Sequence, residues 1–234
     1  MSENTVYTSR MTTQEIIMAL AWLPVHIWLL PMVLYNAIGR GYMNEVDANL
    51  LCYALGFAYM LIYELGFLRR DFDPLCDRPL RCLLNILGCY AIMMGINFFI
   101  NLLFVYLLPE ADNQNNSAVI QMIYTDSRKM ETELILLAPV LEELIFRGGI
   151  FNLARKYNRI LAYAMSILCF SAYHVWPYAV ADARYWVFLL QYIPVSYLLT
   201  RCYERTDSIL CSIIFHALVN GVSLAAINAV QGLV

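Results

Sequence analysis

The stretch Ala138-Pro139-Val140-Leu141-Glu142-Glu143-Leu144-Ile145-Phe146-Arg147-Gly148-Gly149 sets two adjacent carboxylates in an otherwise apolar run. Helix neighbours differ by about 100° around the axis, so Glu142 and Glu143 cannot both serve one site. Glu143 and Arg147 are four apart with the acid N-terminal, the favourable order for an ion pair on one face. Glu142 is left without a partner on its own helix. Two histidines stand in similar surroundings. His174 ends Phe170-Ser171-Ala172-Tyr173-His174, and His216 lies in Phe215-His216-Ala217-Leu218-Val219-Asn220. His216 and Asn220, at i and i+4, face the same direction. A glutamate, two histidines and an amide make a hydrolytic set. The carboxylate can act as general base towards water, and a histidine can share the proton. Alternatively, both histidines can bind a metal that acidifies the water. The asparagine amide can donate to the oxyanion of a tetrahedral intermediate. No serine or cysteine has a base beside it in sequence that would make it a nucleophile.

Each residue also has a plainer reading. Glu143 and Arg147 can simply lock helices together, and a lone membrane histidine is usually a hydrogen-bonded packing residue. Two histidines on separate elements, with an unpaired glutamate and an amide, favour chemistry instead. His26 has no such company and reads as structural. Glu64 also reads as structural, near enough to Arg69 or to lipid headgroups to satisfy its charge.

The elements that must position these groups are membrane helices. Hydrophobic residues make up 61% of the 234-residue chain and charged residues 14%, against roughly 45–50% and about 25% in soluble proteins. Mean hydropathy is +0.60. A soluble domain of this size could not hide that much apolar surface. Seven stretches approach the roughly 20 apolar residues that cross a bilayer: about 14–38, 46–67, 82–108, 131–153, 159–177, 185–203 and 207–232. Pro24 and Pro31 should kink the first, and Pro194 the sixth. The polar interval from Glu110 to Lys129 reads as a loop followed by a short interfacial helix carrying Val119, Ile120, Met122 and Ile123. The chain is thus all-α, a polytopic membrane helix bundle of about seven transmembrane helices. It forms one integral membrane domain, with N-terminal spans and a connecting loop over 1–130 and the motif-bearing spans over 131–234.

Ionisable groups within spans are costly, which marks Glu142, Glu143, Arg147, His174 and His216 as functional candidates. Arginine and lysine placement gives orientation. With the N-terminus inside, the inner segments carry Arg10, Arg69, Arg70, Arg78, Arg81, Arg155, Lys156, Arg159, Arg201 and Arg205. The outer ones carry Arg40, Arg128, Lys129 and Arg184, so the balance favours N-inside and C-outside. The basic residues form no stripe, which argues against nucleic acid. The first apolar run is too long for a signal peptide and should be retained as a span. Seven scattered cysteines without a C-x-x-C read as small hydrophobes in a reducing compartment.

Glu142-Glu143-Leu144-Ile145-Phe146-Arg147, Phe170-Ser171-Ala172-Tyr173-His174 and His216-Ala217-Leu218-Val219-Asn220, in that order on successive hydrophobic elements, resemble the motifs of the CPBP family. These are the CAAX protease and bacteriocin-processing (Abi) intramembrane endopeptidases. The resemblance covers roughly residues 131–225; the first three spans match only in hydropathy. It implies peptide-bond hydrolysis in a membrane cavity, water activated by Glu142 and His174, and an oxyanion held by His216 and Asn220. Glu143 and Arg147 would support them. The implied partners are the bilayer and a membrane-associated peptide or protein, lipidated or not. The compact size suggests a bacterial member in the plasma membrane, engaged in peptide processing or bacteriocin self-immunity.

If zinc is present, its ligands would be Glu142, His174 and His216, since a neutral amide such as Asn220 is a poor ligand. Glu143 would then have to be the base, although it is engaged with Arg147. The metal-free mechanism involves less conflict and is favoured, so no cofactor is expected. Two rival functions use the same residues. One is a non-proteolytic membrane scaffold or immunity factor. The other is a transporter with a proton relay, which should show repeat symmetry that this sequence lacks.

Overall fold

The computed structural model describes residues 11–232; Arg10 of the orientation count lies outside them. Eight helices follow in chain order among the described residues. They are α1 (Thr13–Gly39), α2 (Glu45–Asp77), α3 (Pro79–Leu107), α4 (Gln114–Thr125), α5 (127–155), α6 (Arg159–Ala179), α7 (Leu189–Thr206) and α8 (Ile209–Gln231). Side-chain acceptors start several of them. Thr12 and Glu15 form a reciprocal capping box on α1, and Asn44, Asn113, Asp126 and Asn158 cap α2, α4, α5 and α6.

Five helices are long and apolar enough to cross a membrane: α1, α2, α3, α6 and α8. The two other expected spans are also helical, but they carry more polar residues. α5 is the most enclosed element, with every residue from Leu141 to Gly149 buried. Its Leu141, Leu144 and Phe146 share one core with Ile16 of α1, Met60 of α2, Phe170 of α6, Leu199 of α7 and Phe215 of α8. Surrounded in this way, α5 can hold charges that a peripheral helix could not. The outer helices expose large apolar side chains, among them Trp28, Phe98 and Phe99, a surface suited to lipid.

Two helices contain π turns, at Val25–Leu29 in α1 and at Glu133–Leu137 in α5, and each ends two residues before a proline, Pro31 or Pro139. A proline ring clashes with the carbonyl four residues earlier. A widened turn placed there relieves the clash. A second π segment, Leu144–Phe151, carries the glycine pair. A Cβ on Gly149 would lie 2.8 Å from Leu20 Cδ2, so glycine lets α1 pack directly onto α5.

The short helix after the polar loop differs from expectation. α4 turns Val119, Ile120, Met122 and Ile123 towards a cavity between the helices, so this apolar side covers protein. Glu64 differs too. It is fully buried, and among the described residues neither carboxyl oxygen has a hydrogen-bond partner.

Candidate active site

The packed side of α5 holds the ion pair. Arg147 and Glu143 are both fully buried, with Nη1 to Oε1 at 2.9 Å. The guanidinium also donates to the Ser196 carbonyl at 2.9 Å and to Ser196 Oγ at 3.0 Å, and lies 4.5 Å from the Phe170 ring centroid. Glu143 does more than hold Arg147. Its Oε2 accepts from Ser212 at 2.6 Å, and its Oε1 lies 2.9 Å from His216 Nδ1. The pair therefore joins α5, α7 and α8 and turns the His216 ring.

On the other side lies a cavity of about 710 Å³, lined by Glu142, His174, His216 and Asn220 together. His174 Nδ1 is 2.9 Å from the Phe170 carbonyl. A carbonyl only accepts, so Nδ1 carries a proton, and in the neutral tautomer Nε2 turns a lone pair to the cavity. With Nδ1 of His216 engaged by Glu143, its Nε2 also faces the cavity. Both Nε2 atoms lie 3.8 Å from the same atom, Glu142 Oε2. Among the described residues that oxygen has no hydrogen-bond partner. A separation of 3.8 Å is too long for a direct bond and leaves room for a shared water. Asn220 donates through Nδ2 to the Leu134 carbonyl at 2.9 Å. The second N–H of that amide remains.

Several cavity residues escape a reading of sequence alone. Tyr53 on α2 donates to Glu142 Oε1 at 3.1 Å, Tyr53 and Tyr173 hydroxyls are 2.8 Å apart, and Tyr173 lies 2.8 Å from His26 Nε2. The carboxylate fixes the direction of this chain, because each hydroxyl has one proton to give. His26 donates to Tyr173, Tyr173 to Tyr53 and Tyr53 to Glu142. His26, read from the sequence as structural, is buried at the far end of this chain and lines the same cavity. Tyr192 stacks on His174 with centroids 4.7 Å apart and accepts from Asn115 of α4 at 3.0 Å. With 17 tyrosines in an apolar chain, nothing in the sequence singles these out. Tyr173 has one clue, its place beside His174.

Glu133 also lines the cavity. Nine residues before Glu142, it would face the opposite side of an ideal α-helix at about 100° per residue. The π turn Glu133–Leu137 absorbs an extra residue and brings the two towards one side. Among the described residues, no group of three or more His, Cys, Asp or Glu side chains is arranged to hold a metal ion.

Membrane-length helices bring a carboxylate, two imidazoles and an amide to one cavity of a membrane helix bundle. Residues 129–222 match the family model described as type II CAAX prenyl endopeptidase Rce1-like, a match that agrees with the resemblance carried by the three motifs. No curated protein and no solved structure matches the chain.

Proposed function

We propose that the protein is an intramembrane endopeptidase that hydrolyses a peptide bond near the terminus of a membrane-associated peptide or protein. One observation carries this reading: Glu142 Oε2 is unpartnered and stands 3.8 Å from the Nε2 atoms of two histidines. A water held there meets a carboxylate and the lone pair of His174, and either can take its proton as the oxygen attacks the carbonyl. His216, its ring turned by Glu143, and the remaining N–H of Asn220 would hold the oxyanion. The proton then passes to the leaving amine. No metal enters this scheme.

In this reading α5 and α7 cross the membrane inside the five apolar helices, which makes seven spans with the N-terminus inside a bacterial plasma membrane. Prenylated peptides are the first substrates to try, because the matching family is described by that chemistry. The test uses purified, chelator-washed protein in lipid nanodiscs with prenylated and unmodified peptides, and products identified by mass. Cleavage by wild type and its loss in Glu142→Gln is the expected result. Equal cleavage by both proteins, or none by either, would instead favour a scaffold. Stoichiometric zinc, with activity lost on its removal and restored on its return, would overturn the metal-free mechanism.

A further inference from the structure

Glu133 is 3% exposed, yet only one of its carboxyl oxygens is occupied. Oε1 accepts from Asn49 Nδ2 at 2.7 Å, while Oε2 has no partner among the described residues. A buried carboxylate oxygen left unfilled is costly unless something donates to it. The wall does not supply that donor. No lysine or arginine is among the residues lining the cavity. The nearby cation Lys129 is engaged with Asp47 at 2.7 Å and Asp126 at 3.1 Å. Arg147 is committed to Glu143 and Ser196. What the cavity binds can supply that donor.

We infer that Glu133 and Asn49 form a subsite for a basic side chain of the bound peptide, a short distance from the bond that Glu142 cleaves. This rests on the peptidase reading and adds a substrate class to it. A neutral donor would fill the hydrogen bond alone. An ammonium or guanidinium group would also balance the charge. α2 sets the spacing. Asn49 holds Glu133 and Tyr53 holds Glu142, and the two donors are four residues apart on one helix face. One helical turn is about 5.4 Å, and extended peptide advances about 3.3 Å per residue. The basic residue therefore falls within two or three residues of the scissile bond.

The test uses full-length protein in nanodiscs and a set of apolar twelve-residue peptides, each carrying Lys, Arg, Gln or Glu at one position. N-acetylated and free-amine versions separate a side-chain cation from a terminal one. Lys or Arg two or three residues from the cut should raise kcat/KM at least tenfold over Gln, and Glu should lower it. Glu133→Gln should bring the Lys/Gln ratio to about one, and Glu133→Asp should keep part of the preference. Because the readout is a ratio within each protein, loss of folded enzyme cancels. A wild-type ratio near one, a ratio unchanged in Glu133→Gln, or an effect confined to free-amine peptides overturns the subsite. If wild type cuts no peptide, the peptidase reading fails on its own. The same peptides then report on the subsite through binding, with tenfold tighter Lys than Gln peptide in wild type and no difference in Glu133→Gln.

Discussion

Glu142 and Glu143 are consecutive residues on one buried helix, yet their surroundings are opposite in kind. Both oxygens of Glu143 are occupied, by Arg147, His216 and Ser212. Glu142 has one oxygen held by Tyr53 and the other left open between two imidazoles. On the packed side both carboxyl oxygens of Glu143 are filled, whereas among the described residues the cavity side keeps unfilled acceptors on Glu142 and Glu133. Saturation stabilises a fold, because a buried polar group costs little once partnered. An unfilled buried acceptor is a cost that a bound water or substrate can offset. The two sides should therefore respond differently to substitution, one in stability and the other in turnover.

The largest effect should come from Glu142→Gln, which keeps the volume but removes the base. Turnover should fall by about 10²–10⁴. The melting temperature should stay within about 2 °C of wild type, since ~1 kcal/mol moves a domain of this size by about 2–4 °C. Unfolding of this variant would put Glu142 on the structural side. Next comes Arg147→Ala, which strands a buried carboxylate and should cost about 3–5 kcal/mol. Denaturation in detergent should show it, and the double variant Glu143→Gln with Arg147→Met should recover part of the loss. Full stability in Arg147→Ala would remove the distinction between the sides. Gly149→Ala should be milder, about 1–3 kcal/mol, because its Cβ would press on Leu20. Its kcat per folded molecule should be unchanged.

The difference between the two glutamates is legible in the sequence, since the 100° step separates them and the four-residue spacing assigns Arg147 to Glu143. Bringing α5, α6 and α8 together also needed only the cost of polar groups facing lipid. What escaped depended on non-local geometry. Tyr53 lies 89 residues from Glu142 on a helix that carries no motif. Glu133 is hidden by the π turn, which breaks the 3.6-residue period used to assign faces. Counting spans by apolarity has a related weakness. α5 is polar because it is enclosed, and enclosure is a property of the neighbouring helices.

The smallest expected effect tests the cavity side in its least obvious member. Tyr53→Phe removes one hydroxyl from the chain His26–Tyr173–Tyr53–Glu142 and leaves the ring in place. Glu142 Oε1 then loses its only hydrogen bond among the described residues, and the carboxylate can rotate away from the two imidazoles. One such bond contributes about 1 kcal/mol, so kcat should fall about fivefold. KM should hardly move, because the hydroxyl is committed to Glu142 and not to the peptide. Tyr173→Phe should have a smaller effect in the same direction, since Tyr53 can still donate to Glu142. Steady-state kinetics on both variants at matched folded concentration makes the measurement. A rise in KM at constant kcat would show that Tyr53 contacts substrate instead of positioning the base. A drop in melting temperature without a change in kcat would place the tyrosine chain with the saturated, structural side of the molecule.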